Sequence, residues 1–278
     1  MNEPQSDKDR IFRGISSCNL LSRGSTIFRS NRLDDTIWSL SEPLGGGRLD
    51  DFISHSWRSR GLLKVLATYY EYNGRKVFWA AYGTAALVFL IQILLRILGF
   101  ELPMLGVNEI PYFEEGRPGG LPPAWKANVQ GLPWTGLSFS CGSLAGVVAF
   151  LFGHRIGAPR YAFVDRACIN QTDEELKIKG VRRIGDFLSR SKRMLILWDS
   201  DYFERLWCNF ELAAYIYEKG SSNDVITIMP LKLPIYAVAV YANMMVAFFI
   251  FAGVLRFNAE FGIFNLLSIS GSSSLSFP

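Results

Sequence analysis

The hydrophobic residues of this chain fall into long uncharged runs and into short apolar stretches bounded by polar residues. Three runs, at residues 77–95, 133–153 and 235–255, reach the length of about 20 residues that a helix needs to cross a bilayer. The second run is the weakest of the three, because it contains serines and several glycines. Buried core helices of a globular protein are the competing interpretation of these runs.

The short apolar stretches alternate with segments of helical periodicity. Strands are predicted at 51–57, 161–169, 193–198 and 224–229, and helices at 62–72, 176–188 and 205–218. The stretch 193–198 is almost entirely apolar after its first residue, which is typical of a strand covered on both faces. Strands that alternate with helices in this way predict an α/β domain with a parallel sheet.

The first two membrane runs interrupt this predicted domain. The chain is therefore divided into a disordered cytosolic tail (1–48), a first part of the domain (49–75), a transmembrane hairpin (76–158) with an external loop (101–132), a second part of the domain (159–232), a third transmembrane helix (233–256) and a disordered tail (257–278). Two crossings return the chain to its starting side, so both parts of the domain can pair. Small residues form a stripe on each of the two runs, which predicts close packing of the two helices. They are Ser138, Gly142 and Gly146 on the second run and Ala80, Ala81, Thr84 and Ala85 on the first.

Composition and charge support a membrane protein with a soluble part. Hydrophobic residues make up 49% of the chain, and Lys and Arg are concentrated before residue 77 and between residues 154 and 234. The loop 101–132 contains only two basic residues, so the positive-inside rule places it outside and the domain in the cytosol. A net charge of +4, scattered among acids, indicates no nucleic-acid partner. The four cysteines have no metal-site spacing, and the polar N-terminus predicts no signal peptide.

Three ordered motifs lie on the predicted elements of the domain. FISHSW at 52–57 begins it, Asp165 is followed by ACINQ at 167–171, and WCNFEL occupies 207–212. With these motifs the chain resembles Toll/interleukin-1 receptor (TIR) domains, and most of all the divergent TIR-like domains of microbial eukaryotes. The resemblance covers roughly residues 50–75 and 159–231, under half of the chain.

The resemblance implies a flavodoxin-like parallel sheet with a fifth strand, but here the fourth predicted strand leads directly into the third apolar run. The apolar runs add about three transmembrane helices. It also implies signalling through self-association or through contact with other TIR-like domains at the membrane. Some TIR domains hydrolyse NAD at the nicotinamide–ribose bond with one glutamate, and that position corresponds to Glu211. NAD would then be a substrate, and the resemblance implies no bound cofactor. A non-catalytic membrane scaffold or adaptor, and a degenerate structural membrane protein, remain alternatives.

A nucleotide site is expected at the loops that follow the first strands. Its predicted residues are Ser54, His55, Ser56, Trp57, Asp165, Arg166 and Trp207. Arg166 suits a phosphate contact and Trp57 suits stacking on a base. Each residue also has a plainer interpretation, such as a solvated Glu211, a packed Trp207 or an Asp165 that caps its loop. A Ser-His-Asp hydrolase is disfavoured, because the chain has no G-x-S-x-G motif.

Overall fold

The computed structural model describes residues 11–29, 35–45, 47–98, 134–220 and 226–261, so the predicted external loop and most of the C-terminal tail lie outside it. The strands are β1 (Arg13–Ser16), β2 (Glu42–Pro43), β3 (Leu49–His55), β4 (Tyr161–Phe163), β5 (Ser191–Trp198) and β6 (Ile226–Pro230). The helices are α1 (Ser17–Ser22), α2 (Gly24–Arg29), α3 (Asp35–Trp38), α4 (Gly61–Ile97), α5 (Trp134–Phe152), α6 (Asp165–Cys168), α7 (Glu174–Arg182), α8 (Ile184–Arg190), α9 (Leu206–Lys219) and α10 (Leu233–Phe261).

The predicted α/β architecture is confirmed, with a sheet that is mixed rather than wholly parallel. The strand order is β2-β1-β4-β3-β5-β6. The four adjacent strands β4, β3, β5 and β6 run parallel, whereas β1 is antiparallel to both β2 and β4. In the core, the Phe52 and Phe163 rings of adjacent strands stack with centroids 4.6 Å apart. These contacts belong to the first of two compact units, which comprises Met1–Phe78 and Val147–Tyr236.

The N-terminal segment differs from the predicted disordered tail. Residues 11–29 and 35–45 form β1, β2 and three short helices that belong to the same unit as the sheet. Phe12 stacks on Phe187 of α8 at a centroid distance of 5.0 Å, and Ile15 pairs with Ala162 of β4. The segment was predicted to be disordered because it is rich in Ser and Arg and contains few apolar residues. Those apolar residues become buried only through contacts with residues far away in the sequence.

Three of the predicted elements also differ in their extent from the structure. The strand predicted at 161–169 ends at Phe163, because the amide groups of Ala167 and Cys168 bond to the Val164 carbonyl and close a helical turn. The helix predicted at 176–188 is interrupted at Arg183, which separates α7 from α8. The helix predicted at 62–72 continues without a break into the first apolar run as α4.

In the part of the chain that the structure describes, three helices, α4, α5 and α10, are long and apolar enough to cross a membrane. Only 6% of the most apolar window of α4 and of α10 is buried in the structure, and 28% of that of α5. Core helices of a globular protein would be covered by other parts of the chain, which these are not within the described residues. The helices are therefore consistent with the predicted membrane protein.

Within the second unit, which comprises Trp79–Gly146 and Ala237–Pro278, α4 and α5 pack closely at Gly142. A Cβ atom at Gly142 would lie 2.6 Å from the Ala81 carbonyl oxygen and 2.9 Å from the Ala85 Cβ. Ser138 of α5 also donates a hydrogen bond of 2.8 Å to the Gln92 side-chain oxygen of α4. A small residue at 142 thus permits a backbone approach that a larger side chain would prevent.

Replacing Gly142 with leucine is expected to separate α4 from α5 and to destabilise the protein by about 2 kcal/mol, the usual range for overpacking. Thermal unfolding of the full chain in lipid nanodiscs measures the loss. Gly136→Leu is the matched control, because nothing lies within 4 Å of a Cβ added there. Equal unfolding temperatures for the two variants would contradict the close contact at Gly142.

Candidate functional site

The carboxyl ends of β3, β4 and β5 meet at one edge of the sheet, because these strands are parallel. Trp57 lies two residues beyond β3, Asp165 lies two residues beyond β4, and α9 follows the turn after β5. A cavity of about 500 Å³ opens between these segments. We call it the carboxyl-edge pocket, and its lining includes Trp57, Asp165, Gln171, Lys177, Arg205 and Trp207.

Glu211 lies one turn beyond Trp207 on α9 and is only 4% exposed. The Ser54 hydroxyl donates a hydrogen bond of 2.5 Å to its Oε2 atom. The Ser54 oxygen lies 2.7 Å from the Tyr202 hydroxyl, which is the donor because serine has a single proton to give. The carboxyl group of Glu211 is thus held by a short polar network behind the wall of the pocket, and Glu211 is not among the residues that line it.

Burial raises the pKa of Glu211 to about 8, against the hydrogen bonds from Ser54 and Trp207, which lower it, while the charge of Asp165 raises it further. Glu211 is therefore mostly protonated at neutral pH. Glu211 becomes negatively charged only when the pH rises or when a bound ligand stabilises its carboxylate form.

Asp165 supplies the negative charge inside the pocket at neutral pH. Burial raises the pKa of its carboxyl group to about 6, and the Arg166 amide, Lys64 and the Trp57 side chain partly oppose this effect. The Arg166 backbone amide donates to Oδ1 at 2.7 Å. Asp165 both lines the pocket and begins α6, so its predicted loop-capping role and a ligand role are compatible.

The remaining predicted site residues pack beside the pocket rather than lining it. His55 is buried between the rings of Phe28 and Trp57, at centroid distances of 5.4 and 5.1 Å. Burial and the charge of Lys64 hold the pKa of His55 well below its usual value, so the imidazole is neutral. Ser56 accepts a 3.3 Å hydrogen bond from the Arg58 amide and fixes the loop.

Arg166, which the sequence suggests as a phosphate contact, is largely buried, and its guanidinium carbon lies 5.7 Å from the centre of the Trp57 ring. This cation–π contact orients the indole at the pocket wall. Cys208 lines the pocket but is buried, and burial raises the pKa of its thiol to about 11. It therefore acts as a packing residue and not as a thiolate nucleophile.

Four contributors to this edge were not predicted from the sequence: Lys64, Lys177, Tyr202 and Arg205. Lys64 lies in the first turn of α4 and is 1% exposed, with its ammonium 5.8 Å from the centre of the Trp57 ring. Lys177 and Arg205 line the pocket, and Tyr202 completes the network of Glu211. Tyr202 and Arg205 had a sequence signal, since both lie in the stretch of residues 189–212 that ends in the WCNFEL motif.

No family model, curated protein or solved structure matches this chain. Among the residues that the structure describes, no group of three or more His, Cys, Asp or Glu side chains is placed to hold a metal ion. The interpretation of the site therefore rests on its own geometry and chemistry.

Proposed function

We propose that this protein is a membrane-anchored signalling protein with a TIR-like domain whose carboxyl-edge pocket binds a nucleotide such as NAD. The strand order supports the fold assignment. Numbered along the chain, the four parallel strands β3, β4, β5 and β6 are arranged 2-1-3-4, the order in which the flavodoxin-like sheet begins. Such sheets bind ligands outside the carboxyl ends of the strands where the order reverses, which here is between β3 and β5.

The observation that carries the proposal is the chemistry of the pocket wall. Two indoles, Trp57 and Trp207, offer apolar faces for a base, while Lys177 and Arg205 offer positive charge for phosphates. Asp165 is placed to accept hydrogen bonds from ribose hydroxyl groups. These groups come from separate segments of the chain and meet only in the folded domain, which favours a ligand site over a set of unrelated surface residues.

Hydrolysis of NAD at the nicotinamide–ribose bond is a second candidate function, and the buried Glu211 favours it. A carboxyl group with a strongly raised pKa beside a pocket is typical of functional sites. The nicotinamide of NAD is cationic, so its approach would favour the ionised form of Glu211. The resulting carboxylate would then stabilise the positive charge that develops on the ribose as nicotinamide leaves.

Association with further TIR-like domains, or with a second copy, is also proposed. Strand β6 forms one edge of the sheet, and among the described residues no strand pairs with its outer side. Ile228 in the middle of β6 is 53% exposed, and an edge strand of this kind can add a strand from another chain. The cytosolic location of the domain follows from the charge asymmetry of the sequence and belongs to the same proposal.

Replacing Trp57 with alanine is expected to weaken NAD binding about tenfold, because base–aromatic stacking contributes about 1–3 kcal/mol. Equilibrium binding of radiolabelled NAD to the full-length protein in nanodiscs measures the effect. Tyr217→Ala is the control, since Tyr217 lies on α9 and is 88% exposed.

Two results would overturn the assignment of the pocket. Absence of NAD binding by the folded wild type at millimolar concentration would end the nucleotide proposal and leave the scaffold alternative, which concentration-dependent association then tests. Binding that is unchanged in Trp57→Ala would place the nucleotide elsewhere on the protein.

A further inference from the structure

A second cavity, of about 380 Å³, lies at the opposite, amino edge of the sheet. Arg160 directly precedes β4, and Arg193 is the third residue of β5. We call this cavity the amino-edge pocket, and its charged or ionisable lining consists of Glu71, Tyr72, Arg75, Lys76, His154 and Arg193 together with Arg160. All of these residues belong to the first unit.

The amino-edge pocket carries a surplus of positive charge. Two arginines form ion pairs with carboxylates: Arg160 contacts both oxygens of the buried Asp51 at 2.8 and 3.0 Å, and Arg193 contacts Asp51 at 2.7 Å and the partly buried Glu71 at 2.5 Å. Arg75 and Lys76 add two further cations. Four positive charges thus face two carboxylates, and the difference favours an anionic ligand.

Several polar atoms at this pocket are buried without a hydrogen-bond partner among the described residues. They are both ring nitrogens of His154, which is 6% exposed, and the Nη2 atom of Arg193. A buried donor that remains unpaired costs about 1–3 kcal/mol, so such groups normally have a partner. The guanidinium of Arg193 is already oriented by Asp51 and Glu71, which leaves the Nη2 donor preorganised for a ligand.

The position of the pocket in the sequence is also informative. Arg75 and Lys76 immediately precede the apolar run that begins at residue 77, and His154 follows the run that ends at residue 153. The Lys76 ammonium donates to the carbonyl oxygens of Gly153 and Ile156 at 2.7 and 2.8 Å, which fixes the two segments beside each other. Basic residues that flank apolar helices are typical contacts of phosphate groups in lipids.

We infer that the amino-edge pocket binds a phosphate group, with Arg193 and His154 as direct contacts and Arg75 and Arg160 as balancing charges. A phosphate offers acceptor oxygens that match the planar donors of a guanidinium. It also matches the surplus charge. The ligand is either the headgroup of an acidic phospholipid or free phosphate, and the inference does not depend on the carboxyl-edge pocket or on NAD.

The test uses the full-length protein in nanodiscs and a buffer without phosphate. One arm adds inorganic phosphate, up to a saturating concentration, to protein in neutral phosphatidylcholine nanodiscs. The other arm uses nanodiscs in which about 20% of the phosphatidylcholine is replaced with phosphatidic acid. The expected result in one arm is a rise of about 4 °C or more in the unfolding temperature. A response to phosphate identifies the free anion, and a response to phosphatidic acid alone identifies the lipid.

Arg75→Gln is the main variant, because Arg75 is exposed and makes no contact that the fold requires among those described. Its apparent affinity for the ligand, read from the ligand-concentration dependence of the unfolding temperature, is expected to fall at least tenfold. His154→Phe is expected to cause a similar loss of affinity by removing both ring nitrogens. Arg182→Gln on α7 is the control, since it removes an equal charge from an exposed site that does not line the pocket.

The inference fails if neither arm changes the unfolding temperature of the wild type. It also fails if Arg182→Gln weakens the response as much as Arg75→Gln, since the effect would then be one of overall charge. Trp57→Ala is expected to retain the response, which separates this pocket from the proposed nucleotide site.

Discussion

Glu211→Gln is expected to be more stable than the wild type at pH 8, by about 2 kcal/mol. The carboxyl group of Glu211 titrates at about 8 in the folded protein, against an ordinary value of 4.5. Between these two values the unfolded chain has lost this proton and the folded chain retains it. Folding stability therefore falls as the pH rises, by up to about 1.4 kcal/mol per pH unit. Glutamine has no proton to lose, although its amide still needs a partner, which reduces the net gain.

Thermal unfolding in nanodiscs from pH 5 to pH 9 measures this effect. The wild type is expected to lose stability across that range, and Glu211→Gln is expected to lose markedly less. Glu218→Gln is the matched control, because Glu218 lies on the same helix and is exposed. Parallel pH profiles for the wild type and Glu211→Gln would show that Glu211 is ionised in the folded protein, in contradiction to its burial.

The same variant tests NAD hydrolysis, where we expect loss of at least about 100-fold in turnover, the scale of one electrostatic transition-state contact. Because Glu211→Gln is expected to be the more stable protein, unfolding would not explain that loss. Turnover by the wild type is expected to increase from pH 7 to pH 9, as the Glu211 carboxylate forms. Activity that persists in the variant would place the chemistry on another residue.

Asp51→Asn is expected to destabilise the protein by about 3–5 kcal/mol, the cost of breaking a buried ionic network. Asp51 is fully buried in β3 and accepts hydrogen bonds from Tyr72, Arg160 and Arg193, at 2.7 to 3.0 Å. Asparagine keeps the shape of the side chain but removes the negative charge between two guanidinium groups. The amide NH₂ would also face donors, so the two arginines would lose their shared acceptor.

Unfolding by heat or denaturant measures the loss in Asp51→Asn. Glu175→Gln provides the comparison, because its ion pair with Lys179 is a helix-surface i,i+4 contact and is expected to contribute less than about 0.5 kcal/mol. If the two variants had similar stability, the three donors around Asp51 would not depend on its charge.

The sequence was most informative where a pattern is local. The apolar runs predicted α4, α5 and α10, and the small residues Gly142, Ala81 and Ala85 predicted the contact between the first two of these helices. Three of the four predicted strands lie in the structure within a few residues of their expected positions, because alternating strands and helices leave a clear periodicity. Trp57, Asp165 and Trp207 were expected at one site and all line the carboxyl-edge pocket.

The features that the sequence did not predict depend on contacts between distant residues. Strand β1 is four residues long and becomes a strand through pairing with β2 and β4, so its own composition carries little signal. Lys64 is a buried polar residue with no motif around it. The burial of Glu211, which keeps its carboxyl group mostly uncharged at neutral pH, follows from packing that a sequence pattern does not encode.

The interrupted sheet also has a consequence for synthesis of the protein. Strand β3 lies between β4 and β5 in the sheet, yet both neighbours are translated more than 100 residues after it. At about 5–20 residues per second, β3 waits roughly 7–30 s for both partners, with its two edges unpaired. During that interval the chain between them must form α4 and α5. If either helix inserts incorrectly, β3 remains unpaired, and the first expected result is aggregation through its exposed edges. Completion of the sheet therefore depends on correct formation of α4 and α5.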